Sequence, residues 1–136
     1  MLSHNNLKKL PNGLKNLKQL TALYLEHNQL TELPASFVEL PSLTQLDLSN
    51  NQLTELPASF GELTNLVNLD LRNNKLTTLP EKITQLTKLE TILLINNSLK
   101  YLPESLKQLL SKEGLRTGLS QAQIDKLPAN APDSED

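Results

Sequence analysis

Asparagine recurs every 23 residues, at Asn5, Asn28, Asn51, Asn74 and Asn97, and a leucine stands three positions ahead of each, at Leu2, Leu25, Leu48, Leu71 and Leu94. A fixed period of this length marks a chain built from stacked copies of one small unit, and it changes the meaning of every residue inside it. Around the anchor the pattern L-x-x-L-x-L-x-x-N-x-L-x-x-L-P repeats. One copy reads Leu43, Leu46, Leu48, Asn51, Leu53, Leu56 and Pro57; the next reads Leu66, Leu69, Leu71, Asn74, Leu76, Leu79 and Pro80. Each copy closes with apolar residues three and six positions after its proline: Leu14 and Leu17, Phe37 and Leu40, Phe60 and Leu63, Ile83 and Leu86, Leu106 and Leu109.

Spacing changes within a copy, and so does the geometry it implies. In "LTQLDLSNN" Leu46 and Leu48 alternate with Gln45, Asp47 and Ser49, the two-residue period of a strand with one buried face. In "LPASFGEL" the apolar residues recur every three, as in a short helical or 3₁₀ turn. A strand followed by a helical return makes one coil, and stacking the coils lays the strands side by side in a parallel sheet. The strand side is the thinner one, so the stack bends with its strands on the inside. No coil buries its leucines alone; they are buried by neighbours. The repeated asparagine then points a polar amide into an apolar interior, which is costly unless the amide is hydrogen-bonded. An amide with donors and an acceptor can bond the turn of its own coil and that of the next. Asn51 is therefore expected to matter more to stability than Asn50.

Composition narrows the function. The chain has 136 residues, enough for one domain, and aromatic residues make up only 3% of it, so the core is aliphatic. Thirteen basic against fifteen acidic residues give a net charge of −2, which argues against nucleic acid as a partner. Cysteine is absent, so neither a disulfide framework nor a thiolate zinc site can form, and a reducing, cytoplasmic setting is expected. No apolar run reaches the roughly 18 to 20 residues of a membrane span, and the start of the chain lacks a signal-peptide pattern. Phosphate loops, G-x-S-x-G, H-E-x-x-H and a cysteine nucleophile are all missing, so no catalytic residue, cofactor site or metal site is nominated and the chain is not expected to be an enzyme.

These copies resemble the leucine-rich-repeat family, and within it the 23-residue class with "LP" after the asparagine turn, found in bacterial repeat proteins and in intracellular Ras-associated and Roco-type proteins. The resemblance covers Leu2 to Leu109. It implies an α/β fold: a right-handed solenoid, or horseshoe, with a parallel sheet on its concave face and short helical or 3₁₀ returns on its convex face. It further implies that the concave face is the binding surface, that the ligand is a protein or peptide, and that catalysis is absent. An accessory role beside a GTPase or ligase domain in a longer chain also rests on the resemblance alone.

Both ends depart from the pattern. Continuing the register past Leu109 would require apolar residues or Asn at Lys112, Leu115, Thr117, Ser120 and Ala122, and only Leu115 complies. In "LSQAQIDKL" Ser120 and Gln123 instead have the spacing of a capping box, and Leu119, Ile124 and Leu127 line one side of a short helix. The expected organisation is a repeat solenoid of five coils over residues 1–110, the first partial, a C-terminal cap over residues 111–128, and a disordered acidic tail over residues 129–136. No such cap precedes Leu7 and Leu10 in the first coil. Two explanations stand: further repeats lie N-terminal to Met1, or another subunit covers that edge in a homo-oligomer. The second gives the chain a structural, assembly role.

The register also assigns the outward strand positions. They fall in columns: Ala22, Gln45, Asn68, Thr91; Met1, Tyr24, Asp47, Asp70, Leu93; Ser3, Glu26, Ser49, Arg72, Ile95; and His4, His27, Asn50, Asn73, Asn96. Tyr24 stands out because tyrosine is enriched at the energetic centres of interfaces. Asp47 and Asp70 fall on adjacent strands about 5 Å apart, with Glu26 and Arg72 in the next column, which suits an acidic recognition patch better than an acid–base pair in so open a site. Leu93 and Ile95 are apolar at consecutive outward positions; either they contact a partner or the C-terminal segment folds over them. The candidate partner-binding residues are thus Tyr24, Glu26, Asp47, Asp70, Arg72, Leu93 and Ile95.

Overall fold

In the computed structural model, described over residues 17–34 and 39–130, leucine alternation produces four short strands. These are β1 (Ala22–Tyr24), β2 (Gln45–Asp47), β3 (Asn68–Asp70) and β4 (Thr91–Leu93), joined in chain order into one parallel sheet. The register follows the repeat, with Leu23, Leu46, Leu69 and Ile92 side by side on the buried face. The strand expected around Leu2, with Asn5, Leu7, Leu10 and Leu14, and the return around Phe37 lie outside the described residues.

Each described return follows a proline at its N-cap, where the backbone is still extended and the missing N–H is one that no helical carbonyl would have accepted. Phe60 N–H donates to Pro57 C=O at 2.9 Å and Ile83 N–H to Pro80 C=O at 3.0 Å, opening 3₁₀ helices η1 (Ala58–Glu62) and η2 (Glu81–Gln85). The third return widens into an α-helix, α1 (Glu104–Leu110), which begins after Pro103. Strands pack about 4.8 Å apart in a sheet, and helical returns need more room, so the solenoid curves with its sheet on the concave side. At one point the returns come unusually close: a Cβ on Gly61 would lie 2.8 Å from the carbonyl carbon of Lys82 and 2.9 Å from its Cβ, so only glycine fits there. Between sheet and returns runs a continuous, almost wholly aliphatic core, from Leu23 and Leu25 through Leu48, the single aromatic Phe60, Leu71 and Ile83 to Leu94, Leu106 and Ile124.

Buried asparagines tie the coils together. Asn51 Nδ2 donates to the carbonyls of Leu48 at 3.0 Å and Ser49 at 3.2 Å in its own coil, and to Leu25 at 3.0 Å in the preceding one. Its Oδ1 accepts from Leu30 N–H at 3.0 Å, also in the preceding coil. Asn74 repeats this on Leu71, Leu48 and Leu53, and Asn97 on Leu94, Leu71 and Leu76. Each amide therefore reaches back one coil rather than forward. Just ahead of every rung the chain turns through the left-handed region, at His27, Asn50, Asn73 and Asn96, with φ of 60°, 59°, 61° and 62°. Asparagine and histidine are among the few non-glycine residues enriched there. The Asn50 column, placed by the register among the outward positions, is thus a conformational requirement.

Beyond α1 the chain first imitates another coil. Arg116 N–H donates to Glu90 C=O at 3.0 Å, Ile92 N–H to Arg116 C=O at 2.8 Å, and Leu94 N–H to Thr117 C=O at 3.0 Å. The chain then swings away at Gly118, where φ is 77°. Ser120 caps helix α2 (Gln121–Lys126) through a reciprocal capping box with Gln123. Ile124 enters the core, and Lys107 Nζ donates to Leu127 C=O at 2.9 Å just past the end of α2.

Replacing Asn51 leaves buried donors and acceptors unpaired in two coils. Since an unsatisfied buried polar group costs about 1–3 kcal/mol, Asn51→Ala is expected to destabilise by roughly 3 kcal/mol in urea unfolding. The sound comparison is Asn50→Gly, which keeps the left-handed turn and is expected to change stability by less than about 1 kcal/mol; Asn50→Ala adds a backbone penalty.

Candidate functional site

Outward side chains of the four strands form the concave face, and the strands place them in rows by register. Tyr24, Asp47, Asp70 and Leu93 align across the sheet, as do Ala22, Gln45, Asn68 and Thr91. These two rows enclose a shallow depression of about 200 Å³ whose lining includes Tyr24, Gln45, Asp47, Asn68, Asp70 and Leu93. Tyr24 Oη donates to Gln45 Oε1 at 3.1 Å, which holds the ring at one end of it. Half-buried Leu93 supplies apolar surface at the other.

Four of the seven residues nominated from sequence thus line one depression. Glu26, Arg72 and Ile95 lie outside it, in the neighbouring row. Glu26 is half-buried, and its Oε1 is enclosed with no hydrogen-bond partner. Ser49, expected on the same outward row, is instead buried, because its N–H and Oγ both donate to Asp47 Oδ1, at 2.9 and 2.6 Å. Arg72 folds back onto Asp70: Nε donates to Oδ1 at 2.9 Å and Nη2 to Oδ2 at 2.7 Å. That hydrogen bonding, then the charge of Asp70 and that of Asp47, raises the Arg72 pKa above its ordinary value.

The two aspartates are therefore adjacent but differently engaged. Asp47 pins a buried serine, and Asp70 holds an exposed arginine in a two-point pair of the kind carboxylates and guanidinium groups favour. Such a site can recognise shape and charge; among the described residues no group of three or more His, Asp or Glu side chains is placed to hold a metal ion. His4, which shares an outward column with His27, lies outside the described residues.

Ile95 and Leu93 receive a definite neighbour. The strand-like stretch through Arg116 and Thr117 runs beside β4 rather than over it, and Gly118 brings its backbone against Ile95, leaving no room for a side chain: a Cβ there would stand 2.8 Å from Ile95 Cδ1. Ile95 nevertheless keeps 41% of its surface exposed, so the C-terminal segment flanks the apolar end of the face without hiding it.

Because Asp47 satisfies a buried hydroxyl and a backbone N–H whereas Asp70 pairs with an exposed arginine, the two differ in structural weight. Asp47→Ala is expected to destabilise by about 1–2 kcal/mol and Asp70→Ala by less than about 1 kcal/mol, measured by urea unfolding at neutral pH.

Comparison with known proteins gives a consistent answer. A family model described as "Leucine rich repeat" matches residues 1–53, and one described as "Leucine Rich repeats (2 copies)" matches residues 41–83. A leucine-rich-repeat protein of Leptospira interrogans superimposes with a TM-score of 0.72 at 38% sequence identity, the match covering 79% of this chain and 27% of that protein. This chain therefore spans about a quarter of that relative's length. A comparison with functionally curated proteins gives no match. Leucine-rich repeats generally serve protein–protein interaction, and no helix among the described residues is long and apolar enough to cross a membrane. Two overlapping repeat matches, on a chain whose coils are bonded one to the next by the same asparagine, show that this protein belongs to the leucine-rich-repeat family.

Proposed function

We propose that the chain is a recognition module without catalysis, which binds a protein or peptide across its concave strand face. The observation that carries this reading is the depression bounded by Tyr24, Asp47, Asp70 and Leu93. It joins an aromatic ring, carboxylates and an apolar floor within one open surface, which is the composition of an interface centre rather than of an enclosed reaction site. Arg72 and Ile95 extend the same surface toward the C-terminal end. A cytoplasmic setting, suited to a chain without cysteine, belongs to the same proposal.

A second reading, assembly through the N-terminal edge, draws on one observation: Leu17, near that edge, is 47% exposed. Under it, Leu17→Glu lowers the mass observed in sedimentation. Under the leading reading that substitution leaves partner binding intact.

The leading reading is tested with a partner captured from host extract and then purified. Loss of a central interface residue typically costs 2 kcal/mol or more, so Tyr24→Ala combined with Leu93→Glu is expected to weaken binding by roughly thirtyfold or more in calorimetry. Lys82→Glu on the return side is expected to leave it unchanged. Binding that survives the first pair and is lost with the second would place the interface on the convex side.

A further inference from the structure

Three hydrogen bonds recur wherever one coil is followed by another. His27 N–H donates to Ser49 C=O, Leu30 N–H to Asn51 Oδ1, and Gln52 N–H to Leu30 C=O, at 3.1, 3.0 and 2.8 Å. The next junction repeats them through Asn50, Leu53 and Lys75, and the third through Asn73, Leu76 and Ser98. At the end of the stack the series stops. Among the described residues nothing accepts from the N–H groups of Asn96 or Leu99, and nothing donates to Leu99 C=O.

The reason lies in the cap. The positions 23 residues beyond Ile95, Asn97 and Ser98 are Gly118, Ser120 and Gln121. Gly118 turns the chain aside, Leu119 N–H is taken by Thr117 Oγ1 at 3.0 Å, and Ser120 and Gln121 are committed to starting α2. Between the last coil and α2 this leaves a groove of about 400 Å³, within the range of about 300–1,000 Å³ common for ligand sites. Leu94, Ile95, Asn97 and Leu99 line it on one side, Leu119 and Leu127 on the other.

We propose that this groove binds an asparagine-bearing turn of a partner chain, with an apolar residue two positions after the asparagine. The three junctions inside the solenoid show how such a segment docks. Its asparagine Oδ1 accepts from Leu99 N–H and its Nδ2 donates to Leu94 C=O, the backbone carbonyl two residues earlier accepts from Asn96 N–H, and the N–H after the asparagine donates to Leu99 C=O. The apolar residue falls against Leu99, Leu119 and Leu127. This site adjoins the concave face, with which it shares Ile95, and does not depend on that face's function.

The test uses the full chain, labelled with nitrogen-15, titrated with the blocked pentapeptide Ser-Asn-Asn-Gln-Leu, which copies residues 49–53. The Leu99 and Asn96 amide signals are expected to shift and Leu99 amide exchange to slow at least tenfold at saturation. The same peptide with its second asparagine replaced by alanine is expected to bind at least tenfold more weakly. Leu119→Trp, which fills the groove, is expected to reduce affinity by a similar factor. The peptide comparison stands even where that variant fails to fold. Equal binding of the two peptides, shifts confined to Tyr24, Asp47 and Leu93, or no shift at all would overturn the proposal. So would a faster Leu99 exchange on removal of residues 131–136, which would assign the groove to the chain's own tail.

Discussion

A primary amide buried among leucine side chains is stable only when its donors and its acceptor are all engaged. In this chain the partners are carbonyls and N–H groups at the corner where each strand ends. Because Asn51, Asn74 and Asn97 each bond their own corner and the preceding one, the distance between successive corners is set by the reach of one side chain. The strand register, the column alignment on the concave face and the stacking of the leucine layers all inherit that spacing.

The concave face is consequently a product of the interior. Tyr24, Asp47, Asp70 and Leu93 sit side by side because the buried leucines beside them do, and a three-residue strand has few outward positions to spend. Part of that surface is also used structurally. Asp47 is turned toward buried Ser49 and Asp70 toward Arg72, so the charge offered to a partner differs from a count of acidic residues.

Much of this was legible in the sequence. The 23-residue interval gave strand positions, the buried face and the rows of the candidate site, and Ser120 with Gln123 announced the helix that α2 forms. Other features were hidden for physical reasons. Alternation assigns Ser49 to the outside but cannot show that a carboxylate two residues away draws its hydroxyl inward. The backward direction of the asparagine bonds depends on three-dimensional handedness, which spacing lacks. His27, Asn50, Asn73 and Asn96 carried a readable signal, since such residues tolerate a positive φ, yet a column of polar residues beside a strand reads first as solvated surface. Whether the C-terminal stretch covers Leu93 and Ile95 or runs beside them turned on Gly118, whose backbone conformation no pattern encodes.

The bonds that join Asn51 to the coil before it are the same in kind as those that join Asn74 and Asn97 to theirs, so any junction can stand in for any other. Insertion of one residue inside a coil displaces the amide from its carbonyls and breaks the series locally. Duplication or deletion of a whole coil leaves every junction chemically unchanged. Length is therefore a nearly free variable for such a chain: it can grow or shrink by unequal crossing-over between its own repeats, altering the extent of its outward face while keeping the rules by which it folds.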